Sequence, residues 1–291
     1  MRVPYRNIGT WKALLSEFER TFRPGNNWIF RGQADAKCGL KTTLERIRED
    51  YGIPRRDLVD IEPGLIRKFK RQYYHYSADA PAPTDYPEWL AIMRHYGAPT
   101  RLLDWTYSFF ARVFFAIENS TTQAALWALN TTVLERELKT RFADIYDKLE
   151  CSRNVQVIEQ FTDTLARRPP VAFVSTLRSY RLNQRLAVQQ GLFLCPGDLT
   201  KSFEDNLAAV IGNTPPASVL VKLRISADRT FRKDLLRRLH RMNMNNATLF
   251  PGLDGFARSL KQFLAFPKEF LPPDREYHTV ISRGKTVRHE R

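Results

Sequence analysis

The apolar runs of this chain are short, and several meet a lone charge: Trp28-Ile29-Phe30 runs into Arg31, Leu102-Leu103 into Asp104, and Leu253 into Asp254. Even the longer ones, such as Phe114–Ile117, fall far below the ~20 residues that a membrane-spanning helix needs. A core must therefore be assembled from many short segments. The embedded charges must be paired inside it or face a cleft. Hydrophobic residues make up 43% of the chain and aromatic residues 12%, enough for such a core and too much for a disordered polymer.

Periodicity divides these segments between helices and strands. Trp11, Leu14, Leu15 and Phe18 recur at helical spacing, Thr10 is placed to cap them, and Arg23-Pro24-Gly25-Asn26 reads as the stop. Helices are also expected over 63–76, 89–96, 108–119, 229–242 and 256–263, with Ser226 or Asp228 capping the 229–242 helix. Strands are expected at 28–32, 124–129, 171–175 and 191–195, an extended segment at 100–106, and the clearest alternation runs from Val219 to Ile225. Strands and helices do not alternate regularly. The predicted class is α+β, a small bent mixed sheet flanked by helices, rather than a doubly wound parallel sheet. No Pro- or Ser-rich linker divides the chain, so residues 1–291 read as one domain, with a polar helical insertion at 130–168 and a frayed basic tail at 283–291.

Lys and Arg number 46 against 31 Asp and Glu, a net charge of +15. Such an excess favours polyanionic partners, whether nucleic acid, phosphate-rich cofactors or an acidic protein; no membrane partner is expected, because the apolar runs are too short to span one. Cys38, Cys151 and Cys195 are far apart without a CxxC, and the five histidines have no metal-ligand spacing. Neither a disulfide framework nor a metal site is expected, and a reducing, cytoplasmic setting fits. The opening MRVPYRNIGTWKALL lacks the apolar region of a secretory signal. GxxxxGK[ST], GxGxxG and GxSxG are all missing, which argues against a P-loop, a dinucleotide cradle of the Rossmann type and a hydrolase elbow.

The embedded polar residues are the candidates that remain. Gly32 follows Arg31 and lets a ligand or another backbone approach closely. Arg101 and Asp104, three residues apart, either form a structural ion pair or act on a ligand. Gln189 and Gln190 precede the apolar Gly191-Leu192-Phe193. Arg229, Arg232, Lys233, Arg237, Arg238 and Arg241 crowd the 229–242 helix with Asp234 opposing them. With Arg178, Arg181 and Arg185, and with Tyr73, Tyr74 and Tyr76 beside Lys70 and Arg71, they read either as a nucleic-acid groove or as solvated charge.

Phe30-Arg31-Gly32, followed by Gln33, resembles the name-giving motif of the FRG domain, a module of bacteria and phages. The string His95-Tyr96-Gly97-Ala98-Pro99-Thr100-Arg101-Leu102-Leu103-Asp104-Trp105-Thr106, with Phe114-Phe115-Ala116 after it, is similar to that family's most recognisable block. Asn183 to Phe193 resembles a third block, and Thr248 to Leu260 a fourth, with Gly252 where an acidic residue is expected. The bacterial and phage setting implies a toxin or phage-defence role.

A second resemblance is to ADP-ribosyltransferases of the Arg-Ser-Glu type. Arg31-Gly32 is similar to their first element, and Trp105-Thr106-Tyr107-Ser108 with Ala111 and Phe115-Ala116 to their second. The resemblance implies NAD as cofactor and a macromolecular acceptor. Arg31 would grip the diphosphate, Thr106 or Ser108 would orient the ribose, and Trp105 or Tyr96 would stack on nicotinamide. Gly32, Gln33 and Arg101 would lie against the cofactor. Gln190 stands in the third motif where those enzymes use a glutamate, so a carboxylate such as Asp104, Glu118 or Asp254 would have to supply the missing charge. Two other readings stand beside it: a nucleic-acid-binding module without catalysis, and a metal-dependent nuclease built on Asp104 with Glu118 or Asp254.

Overall fold

Seven short strands pair into one mixed sheet: β1 (Tyr5–Ile8), β2 (Trp28–Gln33), β3 (Leu103–Thr106), β4 (Gln123–Asn130), β5 (Val174–Leu177), β6 (Gly191–Pro196) and β7 (Leu220–Ser226). The computed structural model describes residues 3–22, 27–77, 80–151, 158–178 and 184–266. The strand order is β1-β7-β4-β2-β3-β6-β5, with β1 and β7 parallel and the other neighbours antiparallel. The α+β class is as expected, and strand β2, which carries Arg31, lies at the centre of the sheet. Each strand read from the sequence is present within three residues of its expected bounds.

The helices of the first half are α1 (Trp11–Thr21), α2 (Thr43–Asp50), α3 (Leu58–Tyr73), α4 (Tyr86–His95) and α5 (Phe109–Ile117). Three helices follow between β4 and β5: α6 (Thr131–Arg141), α7 (Ala143–Cys151) and α8 (Ile158–Ala166). The last are α9 (Gln184–Val188), α10 (Phe203–Ile211), α11 (Pro216–Val219), α12 (Arg229–Arg241), α13 (Asn246–Leu249), α14 (Leu253–Ser259) and α15 (Lys261–Ala265).

Both faces of the sheet are covered over its inner strands, which is why β4 and β6 are almost continuously apolar. On one face α1, α5 and α12 bring Leu14, Phe109, Phe114 and Leu235 against Phe30, Leu126 and Leu223. On the other, α4, α6 and α10 bring Trp89, Leu134 and Phe203 against Ile29, Trp105 and Phe193. Thr10 and Asp228 cap α1 and α12 by accepting from the N–H groups of Ala13 and Phe231, at 3.1 and 3.0 Å.

The structure differs from the sequence reading in several places. Helix α3 starts at Leu58, not at residue 63, because its apolar contacts begin there and a 3-10 turn at Arg55–Asp57 leads in; Pro63 is inside it. The helices of 130–168 send Leu134, Leu138, Ile145, Leu149, Phe161 and Leu165 into the larger core. Elements β1, α2, α9, α10, α11 and α13 were not read from the sequence, and the helix expected over 256–263 is split between α14 and α15. The helix stop at 23–26, the start of the third block at Asn183, Arg181 and the tail at 283–291 lie outside the described residues. No helix among the described residues is long and apolar enough to cross a membrane.

Candidate functional site

Strands β2 and β3 share one paired position, Phe30 opposite Thr106. Next to it the Arg31 side chain crosses to β3: Nη1 donates to the backbone carbonyl of Asp104 at 2.9 Å and lies 3.7 Å from its carboxylate. The same carboxylate is clamped by Arg94, at the end of α4. Arg94 Nε lies 3.0 Å from both oxygens, Nη2 adds a further bond, and Nη1 donates to Thr43 Oγ1 at 2.6 Å. The turn that carries the chain from α4 back to β3 contains Gly97 with φ +83°, a conformation that favours glycine.

Gly32 brings in the next guanidinium. A Cβ there would overlap the Arg112 carbonyl and the backbone nitrogen of Ala116, so α5 sits directly on β2. Arg112 of α5 and Arg185 of α9 both feel the Asp104 charge. Arg94 and Arg31 thus contact the Asp104 carboxylate, and Arg112 and Arg185 stand within its electrostatic reach. Arg31 is only 8% exposed, and its Nε, like that of Arg112, is buried without a hydrogen-bond partner.

These imbalances appear in the titration behaviour. Burial lowers Arg31 to about 10, with Asp104 opposing the fall and Arg112, Arg46 and Arg94 adding to it. Burial likewise lowers Arg112 to about 10 against the pull of Asp104. Both remain cations at neutral pH. Burial alone would raise the Asp104 carboxyl, but the Arg94 hydrogen bonds and the charges of Arg94, Arg31 and Arg112 outweigh it and hold it at about 2. Burial and Arg185 together push His95 below the usual histidine range.

The family model of the FRG domain matches residues 26–125, the segment that contains Arg31, Arg94, Asp104 and Arg112. The chain contains an FRG domain. No curated protein and no solved structure matches it.

Within and beside the FRG domain the residues singled out in the sequence meet different fates. Arg101 and Asp104 do not pair with each other. Arg101 is bound to Glu62 of α3, through Nε at 2.7 Å and through Nη2, and Tyr86 donates to the same carboxylate at 2.8 Å. Arg101 thus ties α3 to the start of β3 and is buried away from the Asp104 cluster. The close approach that Gly32 permits is that of helix α5. Gln33 is used up structurally, donating to the Gly39 carbonyl at 2.9 Å and accepting from Trp127 Nε1 at 2.6 Å. Trp105 is fully buried, so it has no face for a nicotinamide ring. Ser108 caps α5, accepting from Ala111 N at 3.4 Å.

Thr106 and Gln190 do come together, but by way of the backbone. The buried Thr106 hydroxyl donates to the carbonyl of Gln189, with that of Gln190 3.1 Å away, and accepts from Ser108 N at 3.0 Å. Gln189 is buried and donates to the Leu249 carbonyl at 2.9 Å, whereas Gln190 is exposed with φ +49°. On α12, Arg232 donates to the carbonyls of Ile117 and Glu118 and so caps α5. Arg238 pairs with Asp234 at 2.8 Å and lies over Trp11. Arg229, Lys233 and Arg241 are exposed, and Arg237 is half-buried. Asp104 is enclosed by arginines, and Glu118 accepts from Asn246. No group of three metal-ligating side chains occurs among the described residues.

Arg94 and Arg112 were missed in the sequence. Arg112 carried a usable signal, since it is a lone charge inside the apolar helix Phe109–Ile117. Arg94 carried none, because its pairing with Asp104 depends on the turn between them.

Proposed function

We propose that the arginine cluster of the FRG domain binds the phosphates of a nucleotide, with NAD as the candidate and transfer of its ADP-ribosyl group to a macromolecule as the reaction served. One observation carries this reading: Arg31 and Arg94 share the Asp104 carboxylate, Arg112 and Arg185 stand within its electrostatic reach, and the buried Nε of Arg31 and of Arg112 lack partners. Buried donors left open are costly, and an anion between them would answer both the charge and the hydrogen bonds. The residues present therefore fit the phosphate end of the cofactor.

In this reading Arg31 and Arg112 hold phosphate oxygens, and Asp104 orients Arg94 and Arg31 instead of acting on the sugar. Thr106 keeps the Gln189–Gln190 turn in place. Of the residues proposed for the nicotinamide end, Tyr96 at 67% exposure and Gln190 are the ones open to solvent. When bound, NAD would supply the labile glycosidic bond and the nicotinamide leaving group.

Calorimetric titration with NAD at low and moderate salt tests the binding. Arg31→Ala is expected to weaken it roughly ten- to a hundred-fold, the size of one charge-assisted contact. No heat from the wild type at millimolar NAD would remove the NAD reading. Release of free nicotinamide on adding cell extract tests the transfer separately.

A further inference from the structure

The rim of the arginine cluster carries a second feature that, Arg185 apart, the nucleotide reading leaves unused. Arg178, just after β5, lies over the Tyr107 ring at 5.8 Å and donates to its hydroxyl at 2.7 Å. Arg185 and Arg258 both lie over Phe250, at 4.4 and 5.4 Å. These two arginine–aromatic groups flank one turn. Tyr107 N donates to the Gln190 carbonyl, and Gln189 reaches the Leu249 carbonyl next to Phe250. Phe250 also meets Phe115 edge-on at 5.4 Å, and Arg112 of the inner cluster covers Phe115 at 5.0 Å. Arginine and aromatic contacts thus run from Arg112 through Phe115 and Phe250 to Arg185 and Arg258, with the Arg178–Tyr107 pair across the turn. Arg178, Arg185 and Arg258 are exposed, and Phe256, on the same helix as Arg258, is 55% exposed.

We infer that this rim binds single-stranded nucleic acid. Guanidinium planes and aromatic faces in alternation are what successive phosphates and unstacked bases require, and they need no duplex groove. A net charge of +15 supplies the long-range attraction. The expected surface thereby moves from α12, where Arg232 and Arg238 are engaged within the fold, to the turn at Gln189–Gln190. The inference is independent of NAD binding and would survive its failure.

The test is fluorescence anisotropy with a labelled oligothymidylate of about 20 nucleotides, across a salt series, on the full chain. The double variant Arg178→Ala/Arg258→Ala should bind at least ten-fold more weakly. Its dependence of log K on log salt should be shallower by about 1.4, or roughly 0.7 for each phosphate of a single strand that is no longer neutralised. Arg178→Lys/Arg258→Lys keeps the charge and loses the flat stacking face, so it should retain the salt slope and still lose affinity. Calorimetry with NAD on the same variants should be unchanged, because Arg31, Arg94 and Arg112 are intact. The inference is overturned if Arg178→Ala/Arg258→Ala binds like the wild type, or if Arg229→Ala/Lys233→Ala abolishes binding instead. Equal affinity for a duplex of the same length, or equal competition by polyglutamate, would overturn it as well.

Discussion

Arg101 and Arg31 are both buried, but their surroundings differ. Arg101 has Glu62 on two nitrogens and the carbonyls of Pro196 and Gly197 at 3.3 and 3.4 Å, while Arg31 has one carbonyl and a distant carboxylate. The first is a finished structural pair, whereas the second keeps a buried Nε without a hydrogen-bond partner. Glu62→Gln should therefore cost about 3–5 kcal/mol in urea unfolding, because it strands a buried guanidinium. Asp104 gives a pH prediction. Its carboxyl sits at about 2 in the fold, below the ordinary value near 3.8, so the stability it adds is full above about pH 4 and is lost as the pH falls towards 2. The contribution is on the order of 2 kcal/mol. Unfolding free energies of the wild type and Asp104→Asn should converge over that window, and a constant gap would sink the assignment.

At the level of elements, the contact of α5 with β2 decides where Arg112 goes. Gly32→Ala forces the two apart, and a loss of ~1–3 kcal/mol is expected, with weaker anion binding because Arg112 moves along with the helix. An unchanged melting temperature would show that α5 has room to spare. Much of this layer was legible beforehand. The alternation of Val219–Ile225 gave β7, and the apolar stripe Phe231, Leu235 and Leu239 with Asp228 before it gave α12. Strand β1 was not legible, because it is four residues long, half exposed and paired with β7 far along the chain. The site was half legible. Arg31 and Asp104 stood out as charges in apolar strings, but the partner of each depends on tertiary turns. Pairing Arg101 with Asp104 by proximity in sequence failed because β3 begins between them and a neighbouring helix supplies Glu62.

For the whole molecule, an excess of buried positive charge means that an anion should stabilise the fold. Inorganic phosphate or sulfate is expected to raise the melting temperature, and a ligand at a hundred times its Kd adds about 2.7 kcal/mol. In Arg31→Ala the rise should be much smaller, and an equal rise in both would place the effect elsewhere on the surface. The FRG match also ends at residue 125, inside β4. The β4 residues that face Trp28, Ile29, Phe30 and Arg31 across the sheet are Asn130, Leu129, Ala128 and Trp127, all beyond that limit. Strand β6, which holds β3, lies further on still. The recognisable segment is thus the marked part of a machine whose frame is spread over the rest of the chain. Anyone transplanting the arginine cluster onto another protein would have to carry β4, β6 and β7 along, because a cassette cut at 26–125 would move the residues and leave behind what aims them.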